Sequence, residues 1–222
     1  MDSIFRGNLT TPQGRRLAWI DSLLVDHGIF RLVWTNGATV VPGRLYRSNH
    51  PTPGRLAMLV RRYGLRTIIN LRGMTRNGSD GLARETAARL GLHFIDAPLQ
   101  SRAPQQARIL RLLGIFRDMQ EPALVHCKSG ADRAGFAAGL FLLSQGGTAA
   151  DALRQLSLRF GHVRQSKTGV LDAFFLWYQR DGEGRKPFID WVKEDYDEAV
   201  LKQTFHAHGL ASFINDRVLM RE

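Results

Sequence analysis

The stretch ALVHCKSGADRAG (123–135) decides the fold, because it places a cysteine between a strand and a helix. Residues 123–127 are apolar apart from His126, which is typical of a buried strand. A short polar loop follows as far as Asp132, and an apolar helix is predicted from Arg133 onward. The pattern therefore predicts a strand–loop–helix unit with Cys127 at the end of the strand.

Strands and helices alternate on the N-terminal side of this unit. A run that is apolar over most of its length at 66–71 predicts a further buried strand, and the segment 92–97 predicts another strand. The other elements predicted there are short strands within 35–43 and 44–48, and helices over 52–63, 79–90 and 105–119. Such alternation is typical of the α/β class, with a central, mostly parallel sheet flanked by helices.

The chain is predicted to form one domain overall, with three parts. Residues 1–38 are interpreted as an N-terminal appendage, and 39–147 as the core that carries the sheet. Residues 148–222 lack a convincing strand and predict a helical C-terminal part packed on the core.

The net charge, the cysteine count and the length of the apolar segments limit which classes of function are possible for this chain. The 222 residues include 31 Lys and Arg against 20 Asp and Glu, a net charge of +11 that attracts polyanions. The single cysteine excludes an intramolecular disulfide and a four-cysteine zinc site, which favours a reducing, cytoplasmic location. The longest apolar stretch is too short to span a bilayer, so membrane contact is expected only at the periphery.

The spacing of Cys127 and Arg133 suits the binding and attack of a phosphate group. A tight loop entering a helix directs backbone N–H groups inward, and the glycine in it gives the backbone the freedom to turn. An arginine offers a two-pronged guanidinium to phosphate oxygens, and all these donors favour a cysteine thiolate, the nucleophilic form. The predicted phosphate-binding residues are Lys128, Ser129, Gly130, Ala131, Asp132 and Arg133.

At these residues the chain resembles the protein-tyrosine-phosphatase superfamily, whose signature is His-Cys-x5-Arg. The likeness covers about residues 40–147 and is greatest to the dual-specificity, tensin-like and myotubularin-like branches. It implies that Cys127 attacks phosphorus to form a phosphocysteine, which water then hydrolyses, without a metal or organic cofactor. Ala134 stands where the family usually has Ser or Thr to help the thiol leave, so the rate of the second step stays open.

Two aspartates are candidates for the general acid that protonates the leaving oxygen. Asp132 lies inside the loop, at the position where myotubularin-type and some bacterial members of the resembled family carry an acid. Asp96 lies 31 residues before Cys127, at the end of a predicted strand, where dual-specificity and tensin-like members place an acid on a movable loop. Asp132 is preferred because its place relative to the loop is fixed, and Asp96 remains the alternative.

Four other residues are assigned supporting roles. Lys128 adds charge for a polyphosphorylated or lipid substrate, and Arg72 either contacts substrate or pairs with Asp96. His126 is expected to orient the cysteine by a buried hydrogen bond. Gln165 matches in type a glutamine that positions water in some tyrosine phosphatases.

The expected substrate is a phosphorylated protein, a phospholipid or an inositol phosphate. No nucleic-acid partner is expected, because the chain lacks a nucleic-acid-binding motif. Two alternatives stay open: a catalytically weak module that only binds phosphate, and a rhodanese-like sulfurtransferase, which also uses a cysteine in a loop before a helix.

Overall fold

The computed structural model describes residues 3–5, 7–26 and 33–208, with side chains as far as Phe205. The parts of the predicted N-terminal appendage and C-terminal helical part at 1–2, 6, 27–32 and 209–222 lie outside the described residues. The described residues form two compact units. The first comprises those of Met1–Pro98 and Met119–Gly130, and the second those of Leu99–Asp118 and Ala131–Glu222. The division into appendage, core and C-terminal part stays a prediction.

The first unit contains a five-stranded sheet in the order β1-β2-β5-β3-β4. Its strands are β1 (Ala38–Val41), β2 (Leu45–Asn49), β3 (Thr67–Asn70), β4 (His93–Asp96) and β5 (Ala123–Cys127). Only β1 is antiparallel to its neighbour. Strand β5 lies between two parallel partners and is buried along its whole length, which accounts for its mostly apolar sequence. The predicted α/β class with a mostly parallel sheet is confirmed.

Three α-helices are described in the first unit: α1 (Pro12–Ile20), α2 (Pro53–Tyr63) and α3 (Gly78–Arg89). A five-residue π-helical segment, Asp21–Val25, continues from α1. Helix α2 begins with proline in its first turn and ends at Gly64, whose φ of +63° suits the left-handed conformation of a helix C-terminus. Its apolar face packs on the sheet, with Leu56 against Ile68 and Leu124.

In the second unit, the elements that the described residues form are helical. Its α-helices are α4 (Gln106–Asp118), α5 (Asp132–Ser144), α6 (Ala149–Arg154), α7 (Val170–Asp181), α8 (Phe188–Glu194) and α9 (Glu198–His208). Buried aromatic rings join them: Phe136 of α5 lies 5.2 Å from Phe174 of α7, and Trp191 of α8 lies 5.5 Å from the same ring. This burial stabilises the unit, since large aromatic side chains contribute most of the buried apolar area. No described helix is both long and apolar enough to cross a membrane.

Candidate active site

Cys127 is the last residue of β5, at the carboxyl end of the parallel strands, where α/β sheets bind ligands. It is paired with Asn49 of β2 and only 1% exposed. The backbone N–H of Gly130 turns back toward it and lies 3.2 Å from its sulfur. A backbone donor at this distance stabilises a thiolate, the nucleophilic form of cysteine.

The loop after Cys127 has three consecutive carbonyl groups that accept hydrogen bonds from outside the loop. The carbonyl of Lys128 accepts from the backbone N–H of His50 at 3.4 Å. That of Ser129 accepts from Nδ2 of Asn36 at 2.9 Å, and that of Gly130 from Nη2 of Arg47 at 2.7 Å. Each donor belongs to a segment packed around the loop, so hydrogen bonds to its outer side stabilise the loop conformation.

The direction of these carbonyls sets the direction of the amides. In a trans peptide the C=O and the following N–H point to opposite sides. Carbonyls fixed outward at positions 128 and 129 therefore turn the N–H groups of 129 and 130 to the inner side. The contact between the Gly130 N–H and the sulfur of Cys127 agrees with this. Successive inward N–H groups form an anion-binding concavity.

Arg47 supplies a buried positive charge behind this loop. Its side chain is 1% exposed and comes from β2. Burial lowers the pKa of Arg47 to about 10, although the charge of Cys127 acts to raise it. The guanidinium therefore stays protonated at neutral pH. A buried cation both fixes the Gly130 carbonyl and favours negative charge on the sulfur.

At position 130 of the loop, any residue other than glycine would strain the backbone. Its φ is +77°, in the left-handed region that favours glycine. A Cβ added there would lie 2.6 Å from the Asn49 nitrogen, 2.8 Å from the Ser48 carbonyl carbon and 2.9 Å from Cβ of Asn36. Two of these atoms are backbone and cannot give way cheaply.

The two basic residues assigned to substrate binding are held by an aspartate. Arg72 donates to both carboxylate oxygens of Asp26, at 2.7 and 2.8 Å. Nζ of Lys128 lies 3.5 Å from the same carboxylate, and the Asp26 side chain is buried. The predicted alternative pairing of Arg72 with Asp96 is wrong, because Asp26 reaches the arginine from the N-terminal segment.

Asp96 ends β4, as predicted, and its carboxylate is used as an acceptor. Arg84 of α3 donates to both of its oxygens at 2.8 Å. Asn70 of β3 adds a third hydrogen bond at 2.9 Å. These contacts orient the carboxylate toward α3 and the neighbouring strand.

His126 is completely buried on β5, and its ring lies edge-on to that of His50, with 4.7 Å between the centroids. Its role in orienting Cys127 stays a prediction. Ser129 is exposed.

In the second unit, Asp132 and Arg133 are the first two residues of α5, and Ala131 is its N-cap. Both side chains are partly buried, whereas Ala134 is fully buried. Gln165 lies exposed in a turn before α7, and its role in positioning water stays a prediction.

Asp132 belongs to a charged cluster whose central residues, His162 and Asp172, are fully buried. Nδ1 of His162 lies 2.7 Å from Oδ1 of Asp132, and Nε2 of His162 lies 2.6 Å from Oδ2 of Asp172. Arg164 donates from Nε to the other oxygen of Asp172 at 2.9 Å. Burial acts to lower the pKa of His162, but the hydrogen bonds and charges of the two aspartates outweigh it and raise the pKa to about 9. At neutral pH the ring is an imidazolium that donates to both carboxylates.

A comparison with models of protein families finds one that matches residues 28–155, more than half of the chain, and is described as the tyrosine phosphatase family. The chain belongs to the tyrosine phosphatase family. The predicted membership of the cysteine-based phosphatase superfamily is confirmed, and the protein is a phosphoric monoester hydrolase of that kind. A comparison with curated proteins finds no significant match.

Solved structures agree with this phosphatase in fold. TpbA from P. aeruginosa is 20% identical, with a TM-score of 0.52 over 78% of this chain and 91% of that protein. A protein from Shewanella putrefaciens CN-32 described as a phosphatase is 18% identical, with a TM-score of 0.51 over 67% of this chain and 96% of its own. At identities this low, the similarity of the structures shows a shared fold and nothing further.

Three residues of the phosphatase that matter for its site were missed in the sequence. Asn36 and Arg47 contact loop carbonyls that lie far from them in the sequence, and no local pattern reveals such contacts. His162 had a detectable signal: Asp172 lies in the apolar segment 170–178, and a buried carboxylate requires a charged or hydrogen-bonding partner.

The charge of His162 should make the stability of the phosphatase depend on pH. The pKa is raised from 6.5 in the unfolded chain to about 9, so the stabilisation is complete below pH 6.5 and is lost as the pH rises through 9. This difference corresponds to about 3 kcal/mol. We expect the melting temperature, followed by circular dichroism from pH 7 to 10, to fall more steeply in the wild type than in His162→Gln. Parallel curves for the two proteins would contradict this.

Proposed function

We propose that this enzyme hydrolyses phosphate monoesters through a phosphocysteine at Cys127. The observation that carries the proposal is the loop after the cysteine, where carbonyls bonded from outside turn successive N–H groups inward beside a buried thiol. The donors and the nucleophile are thus held together before substrate arrives, which is where most of the rate enhancement in phosphoryl transfer arises.

The reaction proceeds in two steps. The thiolate of Cys127 attacks phosphorus while the bond to the leaving oxygen breaks, and Arg133 binds the phosphoryl oxygens through its guanidinium. Asp132 donates the proton that the leaving oxygen requires. Water then attacks the phosphocysteine, the P–S bond breaks, and Asp132 takes up a proton from the water. The loop requires no metal or organic cofactor for either step.

A singly phosphorylated substrate of the phosphotyrosine kind fits the charges better than a polyphosphorylated one. Lys128 favoured a polyphosphorylated or lipid substrate, and it lies, together with Arg72, against the buried carboxylate of Asp26. The single carboxylate offsets one of their two positive charges, which reduces their attraction for a second phosphate. A phosphorylated protein in the cytoplasm is therefore the proposed substrate, with phosphoinositides as the alternative.

The test is phosphate release from a panel of substrates by the full chain. The panel contains a phosphotyrosine peptide, several phosphoinositides, phosphatidylglycerol phosphate and the activated aryl ester p-nitrophenyl phosphate. We expect turnover of the aryl esters, with the phosphotyrosine peptide preferred. Preference for the lipids would overturn the substrate assignment, whereas phosphate binding without release from any member would overturn hydrolysis and implicate Ala134.

Paired variants of the two aspartates test the general acid. Asp132→Asn should lower kcat for the phosphotyrosine peptide by about 10²-fold, because its aryl oxygen is a poor leaving group that needs a proton. The same variant should change kcat for p-nitrophenyl phosphate far less. Asp96→Asn is the matched control, since it alters a carboxylate that already accepts from Arg84 and Asn70. A selective loss in Asp96→Asn alone would transfer the acid to Asp96.

A further inference from the structure

A buried histidine connects the proposed general acid to a second buried carboxylate. His162 has no exposed side-chain surface, and its two ring nitrogens contact Asp132 of α5 and Asp172 of α7. Asp172 is also fully buried and is further paired with Arg164. A buried cluster with this many charges is costly to assemble, and removing any one partner leaves an uncompensated charge.

The cluster contains more charged groups than are needed to stabilise the fold at this place. Asp172 and Arg164 satisfy each other, and a neutral hydrogen-bonding group would complete the packing at lower cost. Instead, the ring forms a continuous line of hydrogen bonds from Asp172 to Oδ1 of Asp132. The partly exposed Asp132 is the end of that line, so a proton bound by the cluster is accessible through it.

We propose that His162 is a positioning residue that holds a transferable proton against Asp132, releases it to that carboxylate and takes it back in each cycle. The inference rests on the proposed function, in which Asp132 is the general acid. In the first step the proton shared between Nδ1 of His162 and Oδ1 of Asp132 passes to the carboxyl and from there to the leaving oxygen. His162 is then neutral and the carboxylate is charged. In the second step a proton from the attacking water returns by the same route, so protons balance over the cycle.

The arrangement predicts an unusual pH dependence. An isolated aspartic acid loses its proton near pH 4, so it would be a poor acid at neutral pH. In the pair of His162 and Asp132, the transferable proton is lost only when the imidazolium of His162 loses it. The pKa of His162 is raised to about 9. The charged groups that face the ring are Asp132 and Asp172, with Arg164 behind the latter. Activity that needs the acid should therefore persist to about pH 9.

The experiment is the pH profile of kcat for full-length wild type, His162→Gln and Asp172→Asn on two substrates. For the phosphotyrosine peptide we expect the wild type to lose activity only above about pH 9, and His162→Gln to be lowered about 10²-fold at pH 8. For p-nitrophenyl phosphate, which needs no proton, the same variant should differ less than about threefold. His93→Gln, an exposed histidine, is the matched control and should follow the wild type.

Asp172→Asn keeps the shape of the cluster and removes one charge from the ring. Its basic limb for the phosphotyrosine peptide should move down by about one pH unit, since one of the two carboxylates that favour the imidazolium is lost. An unmoved limb, or an equal loss on both substrates in His162→Gln, would overturn the inference. If Asp132→Asn also shows no selective loss for the phosphotyrosine peptide, the assignment of Asp132 as general acid fails. If Asp132→Asn shows that loss and His162→Gln does not, only the proposed role of His162 fails.

Discussion

Replacing Cys127 with serine should lower phosphate release by about 10⁴-fold or more, because removal of a nucleophile from a covalent mechanism abolishes nearly all turnover. A serine hydroxyl is far less acidic than a thiol, and the Gly130 N–H and the buried Arg47 cannot hold it as an alkoxide at neutral pH. The loop amides are unaffected by the change. The variant should therefore still bind inorganic phosphate, measured by isothermal titration calorimetry, with an affinity near that of the wild type.

The single cysteine gives an independent control. Cys127 is the only thiol in the sequence, so alkylation by iodoacetate modifies one residue and is read by mass spectrometry. Modification should abolish phosphate release in parallel with its extent, and bound phosphate should protect the thiol. Release that survives either the substitution or full alkylation would show that another group is the nucleophile.

The strands were the most predictable part of the molecule. Strand β5 was predicted at the bounds that the structure has, because burial between two parallel neighbours favours a mostly apolar segment. The supporting residues were not predictable in this way. Arg47 lies in the predicted strand 44–48, yet a charged residue in a short strand is normally solvated, and its partner, the Gly130 carbonyl, is 83 residues away.

Charge pairing at the ends of strands was the least predictable feature. Arg72 and Asp96 follow or end adjacent parallel strands, which favoured a direct pair between them. Each instead meets a partner from outside the sheet: Asp26 after the π-helical segment, and Arg84 on α3. The pairing depends on where the first 26 residues and α3 pack, and local sequence patterns carry little of that information. For His162, the buried Asp172 indicated that a partner must exist, but the pattern did not identify which residue, since the two contacts of His162 lie 30 and 10 residues away.

Substituting Gly130 with alanine should test whether the loop conformation, and not only its composition, produces activity. The added Cβ would meet the backbone of Ser48 and Asn49 at distances under 3 Å, and the residue would keep an unfavourable positive φ. The loop must shift to relieve these contacts, which moves the amide that faces Cys127. We expect kcat/KM for the phosphotyrosine peptide to fall by about 10²-fold, the usual cost of misplacing reacting groups by about 1 Å.

Gly64→Ala separates the effect of backbone strain from that of the loop. Gly64 has a similar φ of +63°, but an added Cβ there meets nothing within 4 Å. The Gly64→Ala variant should be about 1 kcal/mol less stable than the wild type, because alanine is disfavoured in the left-handed conformation. Its kcat/KM should equal that of the wild type. Gly130→Ala should lose about 2 kcal/mol or more, because steric overlap adds to the strain. If both variants keep full activity, the outward-bonded carbonyls are not what orients the amides, since the loop would then tolerate a displacement that those hydrogen bonds forbid.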